Sequence, residues 1–306
     1  MSDQETPEAF RERAKAWVEK NLPRADAQAS GGLAVDDEEE LRGVAEARAL
    51  QKKIFDAGFA GIRYPKEYGG QGLTREHQMA WHEATAGYQV PTAFSVTHGI
   101  IGPTMLDFGT EEQKARHIPA MLDGRELWVQ FLSEPSGGSD LAGLLTRADR
   151  DGDMFRLNGS KIWSTGAHFS DYTMVLARTN ADVPKHAGLS MFMMPIRSPG
   201  VTVNPIKLVT GGSHFCQEFF DDVQLAPSHC WPNAPTVSSR PCMTPWVPAI
   251  SIAISLRRYP CSPAISRRIE AAASGIRPVR SAWLIRPTSA SGRVSRITAS
   301  PMSCRV

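Results

Sequence analysis

A short stretch of glycines and serines follows an apolar run in the middle of this chain. Residues 127–132 are apolar apart from one glutamine and predict a buried strand, which ends before Pro135. Residues 133–139 then supply three serines and two glycines. Glycines let backbone N–H groups approach a ligand closely, and a turn of successive N–H groups forms a concavity for an anion. The stretch therefore predicts an anion-binding loop.

A second stretch farther along the chain combines a turn signal with an indole and a hydroxyl. Asn158-Gly159 is the strongest short hairpin signal, so we expect the chain to reverse there. Trp163 and Thr165 are two positions apart and would share one face of the returning strand. By themselves, the two stretches are also compatible with two β-turns in an unrelated barrel.

Together the two stretches resemble the flavin-binding segments of the acyl-CoA dehydrogenase family. That family's loop is roughly (L/M)-(S/T)-E-P-x-x-G-S-D, and residues 132–140 match it. Its second segment, L-N-G-x-K-x-W-(I/S)-(T/S), is matched by residues 157–165, in the same order and at the right separation. The family's P-x-x-Y-G-G-x-G loop is complete at residues 65–72. The resemblance extends over roughly residues 6–228.

The resemblance implies a fold and a cofactor. The family is α+β, with an N-terminal all-α domain, a middle β-barrel domain and a C-terminal helical bundle, and it binds FAD in an extended form between barrel and helices. No G-x-G-x-x-G opens a βαβ unit here, so a Rossmann site is not expected. The implied cofactor-binding residues are Gln130, Phe131, Leu132, Ser133, Gly138, Ser139, Trp163, Ser164 and Thr165.

Each part of this set has an implied role. Backbone and side-chain groups of Gln130, Leu132 and Ser133 would face the polar edge of the flavin ring. Gly138 and Ser139 would face the pyrophosphate. Trp163 would lie against the ring, and Thr165 would hydrogen-bond near its reactive nitrogen. Such bonds stabilise the charge gained on reduction and so tune the potential. Ser139 would also contact the acyl-CoA substrate. The structural alternatives are a core aromatic for Trp163 and a strand hydroxyl bonded to its own backbone for Thr165.

The family's reaction is the FAD-dependent α,β-desaturation of an acyl-CoA thioester in fatty acid metabolism. A carboxylate removes the α-proton, and the thioester oxygen must be polarised because that proton is otherwise too weakly acidic. The family's base comes from the C-terminal bundle, so the catalytic residue of this chain is unknown. The resemblance implies acyl-CoA as substrate and electron-transfer flavoprotein as acceptor. It also implies a homo-oligomer, whose contacts the bundle supplies and which is therefore in question for this chain.

Helix signals fill the first part of the chain, which we predict to be a helical domain over residues 1–125. Thr6 and Pro7 predict a helix start, and residues 36–40 place acidic side chains in the first turn of a second helix. We expect that helix to end at Gly58. Its predicted inward residues are Leu41, Val44, Ala45, Ala47, Leu50 and Ile54. Further helices are predicted from Thr74 to about residue 87, over 92–108, and from a capping box at Thr110 to 122. His98 is predicted to be packed or partly exposed rather than a ligand.

Short apolar segments separated by turn residues predict a β-barrel domain over residues 126–229. Residues 191–194 include three methionines, and we predict core packing there because Met fills irregular gaps. The eight predicted strands are residues 127–133, 145–150, 154–158, 161–164, 171–178, 189–196, 201–206 and 215–224.

Residues 230–306 form an unusual Arg/Pro/Ser-rich tail. Residues 231–306 hold 11 Arg, no Lys, 10 Pro and 13 Ser, and their only acid is Glu270. Proline costs a helix interior about 3 kcal/mol, so no helix is expected in residues 231–248. We expect this tail to be disordered or a frame-shifted reading of the gene, and the chain to be impaired as an enzyme without the bundle. A basic arm for nucleic acid or anionic lipid is the functional alternative, which sparse aromatic residues disfavour.

Three functional hypotheses follow. The first is an acyl-CoA dehydrogenase by descent that is in effect truncated, because its tail does not match the family's C-terminal domain, and that is weakly active or inactive. The second is a non-catalytic flavin- or acyl-CoA-binding fragment or a pseudogene product. The third keeps the fold but changes the chemistry, as in flavin monooxygenases and oxidases of similar architecture.

Composition excludes several other classes. Four of the five cysteines lie at or beyond residue 230 and none forms a C-x-x-C pair, so neither a metal site nor a disulfide framework is predicted. No apolar h-region begins the chain and no apolar run approaches 18 residues, so we expect a cytoplasmic protein without a membrane span. No nucleic acid partner is predicted.

Overall fold

The structure is a computed structural model that describes residues 5–25, 37–209 and 211–231. The predicted tail lies outside the described residues except for its first two positions, as does Glu270. The prediction of disorder or frame-shift for the tail is therefore untested.

The first part of the described chain is helical, as predicted. The α-helices are α1 (Pro7–Asn21), α2 (Asp37–Asp56), α3 (Arg75–Thr85), α4 (Gly102–Phe108) and α5 (Glu111–Leu122). Single turns of 3-10 helix lie at Lys66–Tyr68, Thr92–Phe94, Leu141–Gly143, Ala167–Phe169 and Pro227–His229, and a π-helical segment lies at Thr97–Ile101. The predicted helix over residues 92–108 is thus present, in three successive forms.

Local sequence signals fix several helix ends. Thr6 accepts a hydrogen bond from the N–H of Ala9, and Thr110 forms the predicted capping box with Gln113. Two predicted inward residues of α2 are wrong: Leu41 is 52% exposed and Ala45 is exposed. The buried residues near this end of α2 are Glu40 and Val44, because that face, not the one carrying Leu41, lies against the described protein.

The described residues then form seven strands: β1 (Trp128–Phe131), β2 (Arg147–Asp151), β3 (Met154–Thr165), β4 (Tyr172–Arg178), β5 (Leu189–Pro195), β6 (Val201–Ile206) and β7 (Phe215–Leu225). The predicted hairpin at Asn158-Gly159 is wrong, because β3 continues through it. A register shift against β7 occurs between Leu157 and Gly159. A Cβ on Gly159 would lie 2.7 Å from the Cα of Thr146, so this glycine permits a bulge with close backbone approach rather than a turn.

The strands form one curled sheet in the order β1-β4-β2-β3-β7-β6, with β5 paired to β4. β1 runs parallel to β4, whereas β3–β7, β4–β5 and β6–β7 are antiparallel. The fold is therefore the predicted α+β arrangement of a helical domain followed by a curled β domain.

Two apolar cores lie on the two faces of this sheet. Met191 and Met193 pack with residues of the helices, whereas Phe192 and Met194 pack inside the curled sheet. The predicted core role of residues 191–194 is confirmed, since all four are buried. Within the part of the chain that the structure describes, no helix combines the length and apolar character needed to cross a membrane.

Candidate functional site

A narrow slot opens where the end of β1 meets the end of β3. Its enclosed part has a volume of about 60 Å³. Five predicted site residues line it, namely Gln130, Leu132, Ser133, Trp163 and Thr165, together with Val96, Val129 and Ile162. The sequence motifs, far apart along the chain, thus meet at one place because β1 and β3 approach each other there. The N–H of Ile162 donates to the carbonyl of Ser133 at 2.9 Å and joins the two segments directly.

Trp163 is held in a conformation that few large residues adopt. Its φ is 65°, in the left-handed region, and the β3–β7 register shifts between Ile162 and Ser164. Bulges of this kind re-aim side chains, and a bulky residue at positive φ marks a site where structure overrides local preference. The indole is 57% exposed and makes an edge-on contact with Phe215. It therefore presents a flat apolar face to solvent at the slot.

The side chains of two predicted site residues, Phe131 and Ser164, point away from the slot. Phe131 is fully buried in the core inside the curled sheet, and Ser164 is 3% exposed beneath the strand. Only their backbone groups could reach a ligand in the slot, so their predicted contact with the cofactor stays a prediction.

The glycine loop folds back toward the slot. Glu134 and Gly137 exchange two backbone hydrogen bonds of 3.0 Å, which closes a tight turn. A Cβ on Gly138 would lie 3.3 Å from Ser133 Oγ, so this glycine sits against the slot residue. Ser139 is exposed beyond it and does not line the slot. The loop thus brings Gly138 close to the slot and leaves Ser139 open to solvent.

A buried ion pair anchors this loop. Lys161 Nζ donates to Glu134 Oε1 at 2.9 Å and to the carbonyl of Leu132 at 3.1 Å. The backbone N–H groups of Leu145 and Thr146 donate to the same carboxylate at 2.6 and 2.9 Å. Burial raises the pKa of Glu134, but the Lys161 ammonium and the hydrogen-bond donors outweigh it and hold this pKa below its usual range. Sequence reasoning matched both residues to a motif but did not predict their pairing.

The slot fits the polar edge of a flat, hydrogen-bonding ring. Gln130 Oε1 is buried and makes no hydrogen bond with any described residue. An unpaired buried carbonyl is costly, so a ligand donor at this point would be stabilising. The enclosed volume is well below the roughly 300 Å³ at which small-molecule pockets begin, so the rest of such a ring would lie over the exposed indole. These features fit a flavin.

One polar cluster near the slot was not predicted from the sequence. Glu40 Oε1 lies 2.8 Å from His214 Nδ1, and Glu40 Oε2 lies 3.3 Å from His168 Nε2. His168 Nδ1 in turn lies 3.3 Å from Cys216 Sγ. The acidic run at the start of α2 was interpreted only as a helix start, and no spacing rule links it to histidines so distant along the chain. Among residues 5–25, 37–209 and 211–231, no cluster of three or more His, Cys, Asp or Glu is arranged to hold a metal ion.

Two domains of a known protein family match most of this chain. The N-terminal domain of acyl-CoA dehydrogenase matches residues 4–125, and the middle domain of the same family matches residues 130–223. The chain belongs to the acyl-CoA dehydrogenase family. The enzymes of this family are oxidoreductases that use FAD, which agrees with the slot described above.

Individual acyl-CoA dehydrogenases show how far the likeness extends. The chain is 39% identical over 220 residues to acyl-CoA dehydrogenase IpdE1 of Mycobacterium tuberculosis, a match that covers 71% of this chain and 56% of the relative. The ChsE4-ChsE5 complex from Mycobacterium tuberculosis is similar with a TM-score of 0.57 and 27% identity, covering 76% of this chain and 57% of that one. A glutaryl-CoA dehydrogenase from Mycobacterium smegmatis in complex with FADH2 has a TM-score of 0.53 and 25% identity, covering 73% and 54%. The chain spans a little more than half the length of these relatives.

Proposed function

We propose that this protein binds FAD at the slot between β1 and β3 and derives from an enzyme that desaturates acyl-CoA thioesters between the α and β carbons. The observation that carries the proposal is the pairing of two features in one place. The amide oxygen of Gln130 is buried without a partner, and the Trp163 indole is held beside it by a left-handed backbone.

Each slot residue has a role in this proposal. Gln130, with backbone groups of Leu132 and Ser133, would bind and orient the polar edge of the ring. The Trp163 indole would cover one ring face and exclude water from it. Thr165 would hold a hydrogen bond at the ring edge. When bound, FAD supplies the chemistry of accepting the hydride from the substrate.

We also propose a role for the glycine loop. Gly138 lies against Ser133, so backbone N–H groups of the loop could donate hydrogen bonds to the pyrophosphate. Ser139 is exposed at the edge of the loop, where it could contact both the cofactor and the acyl-CoA. The Glu134–Lys161 pair would keep the loop in place while the ligands bind.

The catalytic base is a separate part of the proposal. In the family the base comes from the C-terminal bundle, and residues 230–306 of this chain do not follow the family's pattern. We therefore propose that this chain is a weak or inactive dehydrogenase. The alternative is a non-catalytic flavin- or acyl-CoA-binding fragment.

The proposed partners are acyl-CoA and, for an active form, an electron-transfer flavoprotein as acceptor. A second protein chain is also a candidate partner, because one similar structure is a complex of two named proteins, ChsE4 and ChsE5. Acyl-chain length is left open, since the residues that line the slot do not measure it.

The experiment is a titration of the purified chain with FAD, followed by addition of acyl-CoA thioesters under anaerobic conditions. We expect FAD to bind and Gln130→Leu to weaken binding several-fold, whereas Gln78→Leu, an α3 variant away from the slot, leaves binding unchanged. Little or no bleaching of the flavin by acyl-CoA is expected. A wild-type chain that binds no FAD contradicts the proposal, and rapid bleaching contradicts the proposed loss of activity. Oxygen consumption would instead indicate oxidase or monooxygenase chemistry.

A further inference from the structure

A second buried carboxyl lies directly beneath the slot. Glu218 on β7 is 0% exposed and is the cross-strand partner of Lys161 on β3. Its Oε2 accepts a hydrogen bond of 2.9 Å from Ser164 Oγ. Its Oε1 is buried and has no hydrogen-bond partner among the described residues. A carboxyl in this position is expensive to bury, and its retention calls for a physical role.

Ser164, the hydrogen-bond partner of Glu218, lies within the β3 bulge at the slot. Ser164 stands between Trp163 and Thr165, and the register shift leaves Trp163 as the extra residue of β3. The serine side chain points inward, whereas both of its neighbours are exposed on the slot side. A hydrogen bond that holds Ser164 inward therefore also holds Trp163 outward at its positive φ.

We propose that Glu218 is a positioning residue for the cofactor slot, which fixes the Trp163 bulge through its hydrogen bond with Ser164. The inference rests on the proposed function in so far as the slot binds FAD. It goes beyond that function because it assigns a role to a core residue that touches neither cofactor nor substrate.

Other ionisable groups lie close to Glu218, so its protonation state changes the charge balance around the bulge. Lys161 lies opposite on β3 but donates to Glu134, in the loop after β1, and to Leu132. On its own strand, Cys216 lies beside His168 from the Ala167–Phe169 turn. Burial raises the pKa of Glu218 to about 8, and burial lowers the pKa of Lys161 to about 8. Near neutral pH the carboxyl is mostly protonated. As the pH rises through about 8, it gains a negative charge in the same range in which Lys161, which anchors the slot loop, loses its proton.

The test is fluorine NMR of the apo chain labelled with 5-fluorotryptophan. The chain has seven tryptophans, and Trp163→Phe assigns the relevant resonance by its loss. In the wild-type chain we expect the Trp163 resonance to shift with a midpoint near pH 8. Glu218→Gln keeps an acceptor for Ser164 but removes the titrating carboxyl, so the Trp163 resonance should shift less with pH than in wild type, and any remaining shift belongs to Lys161. Asp221→Asn, an exposed change on the same strand, should titrate like wild type.

Two further variants remove the hydrogen bond from either side. Ser164→Ala and Glu218→Leu should both displace or broaden the Trp163 resonance at every pH, and thermal unfolding checks that each is folded. Should Glu218→Leu not fold, Ser164→Ala decides the matter. A Trp163 resonance that shifts with pH as much in Glu218→Gln as in wild type, or that is unmoved in the hydrogen-bond variants, overturns the inference and leaves Glu218 a purely structural residue.

FAD binding supplies a second readout. We expect Ser164→Ala to weaken FAD binding about tenfold, equivalent to about 1.4 kcal/mol, and Glu218→Gln to retain it. Equal affinity in wild type and Ser164→Ala overturns the positioning role even if FAD binds. A wild-type chain without FAD affinity refutes the proposed function, while the NMR result still decides whether Glu218 controls the bulge.

Discussion

Two buried carboxyls reach into the space around β3, and their surroundings differ. Glu134 accepts from the Lys161 ammonium and from two backbone N–H groups, whereas Glu218 accepts from one serine hydroxyl. The pKa of Glu134 is accordingly lowered, and burial raises the pKa of Glu218 to about 8. A fully paired carboxylate is a fixed anchor, while a carboxyl with one partner can change charge within the working pH range. Glu134 thus holds the slot loop at a fixed charge, whereas the protonation of Glu218 can alter the position of the Trp163 bulge.

Removing the Lys161 ammonium should have the largest effect on the free energy of unfolding. Lys161→Met would leave the Glu134 carboxylate buried with only its two backbone donors, because the lysine is its sole charged partner in the described residues. Breaking one partner of a buried ion pair costs about 3–5 kcal/mol, which we expect in the free energy of unfolding measured with urea. The matched control is Lys20→Met on the exposed face of α1, which should change stability by less than about 0.5 kcal/mol. A loss below about 1 kcal/mol for Lys161→Met would show that Glu134 is held by backbone donors alone.

The pH dependence of stability should distinguish the two carboxyls. The pKa of Glu218 is raised from 4.5 to about 8 on folding, so the folded chain holds this proton more tightly than the unfolded chain. Its contribution is fully present below about pH 4.5 and is lost as the pH rises through about 8. The pKa of Glu134 is lowered, so its contribution is present above its unfolded pKa and is lost on acidification.

The measurement compares wild type with Glu218→Gln. We expect the wild-type free energy of unfolding to fall by roughly 2–4 kcal/mol relative to the variant between about pH 5 and pH 9. Above pH 8 the lowered pKa of Lys161 raises the free energy of unfolding in both proteins, since the unfolded chain then binds the proton more tightly, so it largely cancels in this comparison. Parallel pH curves for the two proteins would mean that Glu218 titrates normally and is not buried as described.

A third carboxylate tests whether burial or pairing decides the outcome. Glu40 on α2 is buried like Glu134, but its partners are the imidazoles of His214 and His168. Glu40→Gln keeps a hydrogen-bond acceptor and removes the charge, so we expect a loss of about 1–2 kcal/mol by urea unfolding. Glu46→Gln, an exposed change on the same helix, serves as the control. Equal stability of the two variants would indicate that the histidine contacts contribute nothing to holding α2.

Much of this arrangement was predictable, and the failures share a cause. The helix caps at Thr6 and Thr110 and the buried run at residues 191–194 follow from local spacing, whereas the meeting of the two flavin motifs follows only from the family resemblance. The hairpin at Asn158-Gly159 was wrong because a glycine that permits close approach in a bulge resembles a glycine in a turn. Sequence alternation cannot distinguish the two cases.

Bulges also hide which side chains face inward. Because the extra residue at Trp163 changes the alternation of β3, Ser164 points into the core and meets Glu218. Nothing local to Glu218 marks it as buried, since it follows Gln217 and precedes two phenylalanines in a strand of mixed character. The helix face that carries Leu41 was misjudged for a related reason: periodicity identifies an apolar stripe but not which part of it another element covers.

The smallest expected effect on stability comes from the residue that the slot exposes. Trp163→Phe removes a largely exposed indole that contacts Phe215 at its edge, so the free energy of unfolding should change by less than about 0.5 kcal/mol. FAD affinity should nevertheless fall several-fold, because a smaller ring covers less of the flavin. The anchor variant Lys161→Met is expected to show a large loss of stability, and Trp163→Phe a large loss of binding at nearly constant stability. If Trp163→Phe instead unfolds the chain readily and leaves FAD binding intact, the indole is a structural residue and the strained backbone beneath it has no connection with the cofactor.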